Sequence, residues 1–316
     1  MILLALLVVV GVALYAVNRT RTPPAADTAP SHPLRMDSQS PGPLAAQDRP
    51  NSARWFAAKL RVARRMILAE MQVIGYKRGT MAWAVVLALG SLFLLYVIGA
   101  IQHASNPARY AAAGGVKGFS NGILMLGVFI GPLAAILIGA EGGVSDHAAG
   151  VFRELVVTGR SRATLFATRI PGALGVCAAI VTIAYALVVL GTLGFAAGNP
   201  VPSAGVLAEG LGWSLLVDLT VCTVAVGIAA ITLSRPATIT ALIGFQLIAS
   251  PLLLNAKSLG GARKVLLDAS VLHFAPTHVS GPPVINESAG VAALVMLAWI
   301  VISATLGLWR TRTVDA

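Results

Sequence analysis

Asp218 is the one acidic residue set deep in a long apolar run, in the stretch WSLLVDLTVC. An ionisable side chain in such a run is costly and faces a protein interior or a water-filled path. Asp218 is therefore a candidate for contact with something that moves through the protein, or for gating. The competing reading is a hydrogen bond between helices, for example to a Thr, or a place near the membrane interface. Gln246 in a later apolar run is a weaker candidate of the same kind. His273, His278 and Asp268 share one loop and could hold a metal, but their spacing does not place them on one helical face.

Other chemistry finds little support. No G-x-x-x-x-G-K-[ST] loop occurs, and this loop is what offers backbone N–H groups and a lysine to nucleotide phosphates. The pairs Gly114-Gly115, Gly142-Gly143 and Gly260-Gly261 lack the Lys-Ser ending. No G-x-S-x-G elbow occurs either. The expectation is a chain that is not an enzyme and binds no cofactor or metal of its own. Cys177 and Cys222, the two cysteines, lie inside apolar runs and read as small buried hydrophobes.

The elements that must position Asp218 and Gln246 are long. Of the 316 residues, 57% are hydrophobic and 11% charged, against about 25% charged in ordinary soluble domains. Six apolar runs of bilayer-spanning length lie near 81–101, 120–140, 170–194, 211–233, 237–255 and 289–309. Strand-type alternation is absent, so the fold class is an all-α membrane protein. Gly and Ala are frequent in the runs and let helices approach closely. Pro132, Pro171 and Pro251 fall within or at the ends of runs and predict kinks or helix ends.

The net charge of +11 has a topological reading. With residues 18–80 inside, the inside segments hold eleven, four, one and two Lys/Arg, and the outside loops hold two, none and three. The positive-inside rule thus predicts that residues 18–80 and the C-terminus are cytoplasmic, in a multi-pass inner (plasma) membrane protein. No aromatic-rich basic module points to nucleic acid. Residues 1–17 allow three readings: an extra N-terminal transmembrane helix, a signal peptide, or a leader ahead of a start at Met36. The first suits the flanking Arg19 and Arg21 best. Residues 18–53 form a Pro/Ser/Ala-rich linker expected to be flexible. In SARWFAAKLRVARRMILAEMQVIGYKR, residues 52–78, the apolar Trp55, Phe56, Leu60, Val62 and Ile67 alternate with Lys59, Arg61, Arg64 and Arg65. The pattern predicts a helix lying in the membrane interface with its cations at lipid headgroups, or an ordinary juxtamembrane helix.

The order is a basic amphipathic helix, two spans, a charged segment and four more spans. Over residues 54–313 this layout resembles the type-2 ABC transporter permeases, a family of mainly bacterial exporters of drugs, lipids and glycans. The segment EGGVSDHAAGVFRELVVTGRSRATLFATR, residues 141–169, carries the resemblance furthest. The family tends to show an acidic residue, a Gly-led helix, a leucine-rich turn, a Pro-x-Ser-Arg-like end and a basic residue. Glu141, Gly150, Arg153, Glu154, Leu155, Ser161, Arg162 and Arg169 match. Gly159-Arg160 stands where the proline would be, and Arg169 replaces a lysine.

The resemblance implies that this segment couples the membrane bundle to a separate ABC ATPase subunit, which carries ATP and Mg. The coupling residues would be Glu141, Asp146, Gly150, Val151, Phe152, Arg153, Glu154, Leu155, Arg160 and Arg162. It also implies a second permease chain, most simply a homodimer, and small capping helices in the loop 256–288, where VLLDASVLHFAP is apolar but too short to span. ATP binding on the partner would push the segment and open a path for an amphipathic drug-like, peptide or lipid substrate. Two other readings remain: an ion-gradient secondary transporter, which would be expected to show internal repeats and several intramembrane charges, and a membrane assembly factor without a transport cycle.

Overall fold

The computed structural model describes residues 52–148, 161–276 and 285–313, with no side-chain detail at 52–59 and 145–148. The described residues are all-α. The N-terminal segment 1–17, the linker 18–51 and the centre of the charged segment, 149–160, lie outside them.

Helix α1 (Ser52–Gly75) precedes six helices long and apolar enough to cross a membrane. These are α2 (Arg78–Ser105), α3 (Gly115–Val144), α4 (Arg162–Gly194), α5 (Ala204–Thr232), α6 (Arg235–Asn255) and α8 (Ala289–Thr313). Between the last two lies the short α7 (Leu267–His273). All six apolar runs fall inside these helices to within a residue, but several helices are longer than their runs. Helix α4 begins eight residues before its run because Ser161 caps it, its hydroxyl accepting from the Thr164 N–H at 3.1 Å. Ser203 caps α5 in the same way. At its far end α5 stops on Leu233 in the left-handed conformation (φ 52°), and Pro236 opens α6 where no N–H is needed.

The bundle is organised around α3 and α5. One face of α3 carries Gly127, Gly131, Ala135, Gly139 and Gly143, each four residues from the next. Such a stripe lets two helix backbones touch, and in lipid this contact is a main source of helix association. A β-carbon at Gly139 would lie 2.6 Å from the Cys222 carbonyl oxygen of α5, and one at Gly143 would lie 2.6 Å from the Val226 carbonyl oxygen. Gly127 receives the Trp213 ring and Gly131 the Asp218 carboxyl group. On its other side α5 uses Gly227 to take the backbone of Ser303 in α8.

The remaining helices surround this pair. Of the most apolar window of each span, 72% is buried in α3 and 67% in α5, but only 22% in α2 and 17% in α6. These two outer helices present Trp83, Phe93, Ile101, Ile248 and Leu252 to their surroundings. Helices α2, α3 and α6 each contain a widened π turn, at Val86–Gly90, Met125–Ile130 and Phe245–Ala249. Pro132 follows the second and Pro251 the third. A proline has no N–H to continue the ladder, so such turns are where a span is locally opened.

Gly139→Leu would push the α3 and α5 backbones apart. We expect it to lower stability by at least about 1–3 kcal/mol, the usual range for overpacking. Gly212→Ala on α5, where a β-carbon meets nothing within 4 Å, should be neutral or slightly stabilising. Thermal unfolding of the two variants in detergent checks the contrast.

Candidate functional site

Two polar clusters lie at opposite ends of the bundle, and a third polar group is sealed between them. The first end holds the start of α2, the end of α3 and the start of α6. Here Glu141 is buried, 5% exposed, in the last turns of α3. Its carboxylate accepts from the Thr80 hydroxyl at 2.9 Å and pairs with the Arg235 guanidinium at 3.2 Å; the Lys77 ammonium stands 4.0 Å away. Thr80 belongs to α2, Arg235 to α6, and Lys77 to the two-residue link between α1 and α2. One carboxylate thus ties the two outer helices and the α1 connection to the central helix. Glu141 is buried, but Arg235 and Lys77 are roughly two-fifths exposed, so water screens both pairs. Each pair is therefore worth little more than an exposed one, about 1 kcal/mol, and the hydrogen bond fixes the geometry.

Helix α1 docks beside this cluster. Ala63, Met66, Ile67, Glu70, Met71 and Ile74 form its bundle-facing stripe, at helical spacing. The α4 glycines Gly172 and Gly175 make room for Glu70 and Met71, and Ile74 packs near Gly142 of α3. Arg61, Arg64 and Arg65 are exposed on the other side, together with Leu60 and Val62. Trp55 and Lys59 lie in the first turns of the same helix, where no side chain is described. The sequence pattern found the exposed cations and Ile67, but missed the docking stripe because Glu70 interrupts it. On α4, Arg169 is fully buried and donates to the Gly143 carbonyl at 3.3 Å. Arg162, at the start of α4, reaches the Arg312 carbonyl at the end of α8 at 3.4 Å. Of the other residues expected to couple to an ATPase, Asp146 lies on the helical continuation of α3 without a described side chain. Gly150, Val151, Phe152, Arg153, Glu154, Leu155 and Arg160 lie outside the described residues.

Asp218 and Gln246 are not brought together. Asp218 is fully buried between α5 and α3, its carboxyl pressed against Gly131. Neither of its carboxyl oxygens has a hydrogen-bond partner among the described residues, and the same holds for the buried Ser214 hydroxyl one turn away. The Cys177 thiol donates to the Asp218 backbone carbonyl at 3.7 Å. Cys177 and Cys222 are both buried and form no disulfide.

Gln246 lies half-way along α6 and is partly exposed. Its amide donates to the Val128 carbonyl at 3.4 Å and to the Asp268 carboxylate at 3.2 Å. Val128 is four residues before Pro132, which cannot donate to it. Gln246 therefore meets a carbonyl that the proline leaves without its usual α-helical partner. The second Asp268 oxygen takes a short hydrogen bond from Ser250, one turn along α6. Gln246 and Ser250 lie about 14 and 8 Å along the axis from Asn255, the end of α6. Asp268 thus reaches well inside the bundle, and α7 is folded into it. The Trp213 indole fixes the far end of α7 by donating to the Val271 carbonyl at 3.0 Å.

In the sequence Asp268 stood out only through His273 and His278. In the structure its carboxylate faces Gln246 and Ser250, His273 turns edge-on to Phe274, and His278 lies outside the described residues. The apolar patch around it was legible, but its partners are a span away, and no local spacing reveals them.

No family model matches the chain, and no curated protein matches it.

Burial raises the Asp268 carboxyl above its ordinary range, and the Ser250 and Gln246 bonds lower it less. The docked form of α7 then holds a proton more tightly than an undocked one. Docking is strongest at low pH and weakens as pH rises through the docked value. We expect amide protection of residues 267–273, corrected for intrinsic exchange, to fall with rising pH, and the dependence to flatten in Asp268→Asn. Hydrogen exchange across the carboxylate range measures both.

Proposed function

We propose that the chain is the membrane-spanning permease subunit of an ATP-binding cassette exporter, with ATP and Mg held by a separate ATPase subunit. The observation that carries this reading is the Glu141 cluster. It sits at the base of the 141–169 segment, the segment that resembles an ATPase-coupling helix, and it holds α2, α3, α6 and the α1 connection at one point. A push on the segment would be felt directly by the two least enclosed spans. Helices α2 and α6, with their π turns and exposed apolar faces, are the elements with most freedom to move.

In this reading the Glu141 end is cytoplasmic and the α7 end faces outward, in the plasma membrane. ATP binding closes the ATPase pair, the segment near Gly150–Val157 is displaced, and the Glu141 cluster passes the displacement to α2 and α6. A path opens along these helices, at the interface with a second copy of the chain. An amphipathic drug-like molecule, peptide or lipid then leaves outward. The arginine-bearing face of α1 would rest on anionic headgroups and steady the base.

A second reading, transport driven by an ion gradient, draws on Asp218, a fully buried carboxyl without a partner among the described residues.

Co-purification in detergent with any ABC ATPase found encoded beside the chain separates the two. The exporter reading expects wild type to retain the ATPase, and Arg153→Glu/Glu154→Arg to lose it while still forming a folded bundle. If wild type retains no ATPase, that reading fails, and gradient-driven transport with Asp218→Asn becomes the next test.

A further inference from the structure

We propose that Asp268, Gln246 and Ser250, flanked by Phe245 and Trp299, form a recognition site for a lipophilic cation, an amphipathic molecule bearing an amine or onium group. The proposal names a substrate class for the exporter and rests on that reading for its physiological meaning.

The first ground is where the carboxylate lies. Gln246 lies on the least enclosed span, α6, well before its end, Asp268 is brought to it from α7, and both are partly exposed. A carboxylate open to lipid at such a depth is costly. In the exporter reading this face turns to the path at the interface with a second copy of the chain, where water or a ligand meets it.

The second ground is charge. Asp268 is held only by neutral donors, the Gln246 amide and the Ser250 hydroxyl, and no described Lys, Arg or His forms an ion pair with it. Arg263, at the same end, is committed to the Gly260 and Leu254 carbonyls. The negative charge is thus without a counter-ion from the protein. The Val128 carbonyl, freed by Pro132, adds a second acceptor to the same spot. The Gln246 bonds, at 3.2 and 3.4 Å, are at or beyond the long end of the N–H···O range. A cation could take the place of this amide at little cost.

The third ground is aromatic. Phe245 precedes Gln246 in the widened turn of α6, and its ring lies 6.4 Å from that of Trp299 on α8, at 46°. Both residues are partly exposed. The Trp299 indole donates to the Val265 carbonyl at 2.9 Å, three residues before Asp268. Ring faces attract organic cations most strongly when both are shielded from water. A carboxylate, a carbonyl held only by a long side-chain bond and paired rings in one neighbourhood favour a cation over an anion of the same shape, and over a neutral molecule.

The test is equilibrium binding of radiolabelled tetraphenylphosphonium to the full-length chain in lipid nanodiscs, without ATPase or ATP. Triphenylphosphine oxide (neutral) and tetraphenylborate (anionic) serve as competitors. We expect saturable binding of the cation, weak competition by the other two, at least an about tenfold loss of affinity in Asp268→Asn, and near wild-type affinity in Asp268→Glu. A purely structural role for Asp268 would not produce the charge preference. Absence of saturable binding, equal competition by the neutral or anionic compound, or undiminished affinity in Asp268→Asn overturns the proposal. The competitor series on wild type decides alone if Asp268→Asn does not fold. Because no ATPase is present, failure here leaves the ATPase-binding test of the exporter reading untouched.

Discussion

The close approach of α3 and α5 is the contact on which the rest of the bundle depends. Water drives soluble helices together, but lipid gives apolar side chains no comparable reason to leave it. Close backbone packing supplies the attraction instead, and the stripe Gly127, Gly131, Ala135, Gly139 and Gly143 makes it available over much of the length of α3. Dispersion over such a surface is small per atom pair and large in sum. It also fixes register, because each glycine receives a different feature of α5, from the Trp213 ring to the Val226 carbonyl.

A rigid central pair leaves motion to the periphery. Helices α2 and α6 bury the least of their length, carry π turns, and are pinned by polar contacts where the apolar packing is thin. At one end the Glu141 carboxylate pins both helices; at the other Asp268 pins α6 through Gln246 and Ser250. Single hydrogen bonds and partly exposed ion pairs are worth about 1 kcal/mol each. Such pins can be exchanged without unfolding the core, as the proposed transport cycle would require. Asp218 differs in kind. It sits inside the rigid pair, and the missing side chain at Gly131 is what gives it room.

The spans were legible in the sequence because a helix in lipid must be both long and apolar, and both properties are local. Their caps were less legible: the run after Arg169 hid the eight residues by which α4 extends back to Arg162. The glycine content of the runs signalled close packing, but the four-residue spacing from Gly127 to Gly143 identifies one face only when α5 is known to lie against it. Glu141 stood out as an acidic residue after an apolar run. Its partners Thr80 and Arg235 are 61 and 94 residues away, and such pairings leave no mark on a single sequence. Asp268 and Gln246 were each noticed for separate reasons, and the fold of α7 into the bundle joins them. The stretch most suggestive of an ATPase contact, Gly150–Arg160, rests on its sequence resemblance.

If α3 and α5 form the fixed centre of the bundle, they stay together while α2 and α6 move. Spin labels at the exposed positions Phe129 and Ile231 report on the first pair, and labels at Ile101 and Leu252 on the second. Pulsed electron–electron distances in the proposed complex with an ABC ATPase, with and without trapped ATP, compare them directly. A fixed central pair gives an unchanged distribution for Phe129–Ile231 and a shifted or broadened one for Ile101–Leu252. A change between Phe129 and Ile231, or none between Ile101 and Leu252, would contradict it.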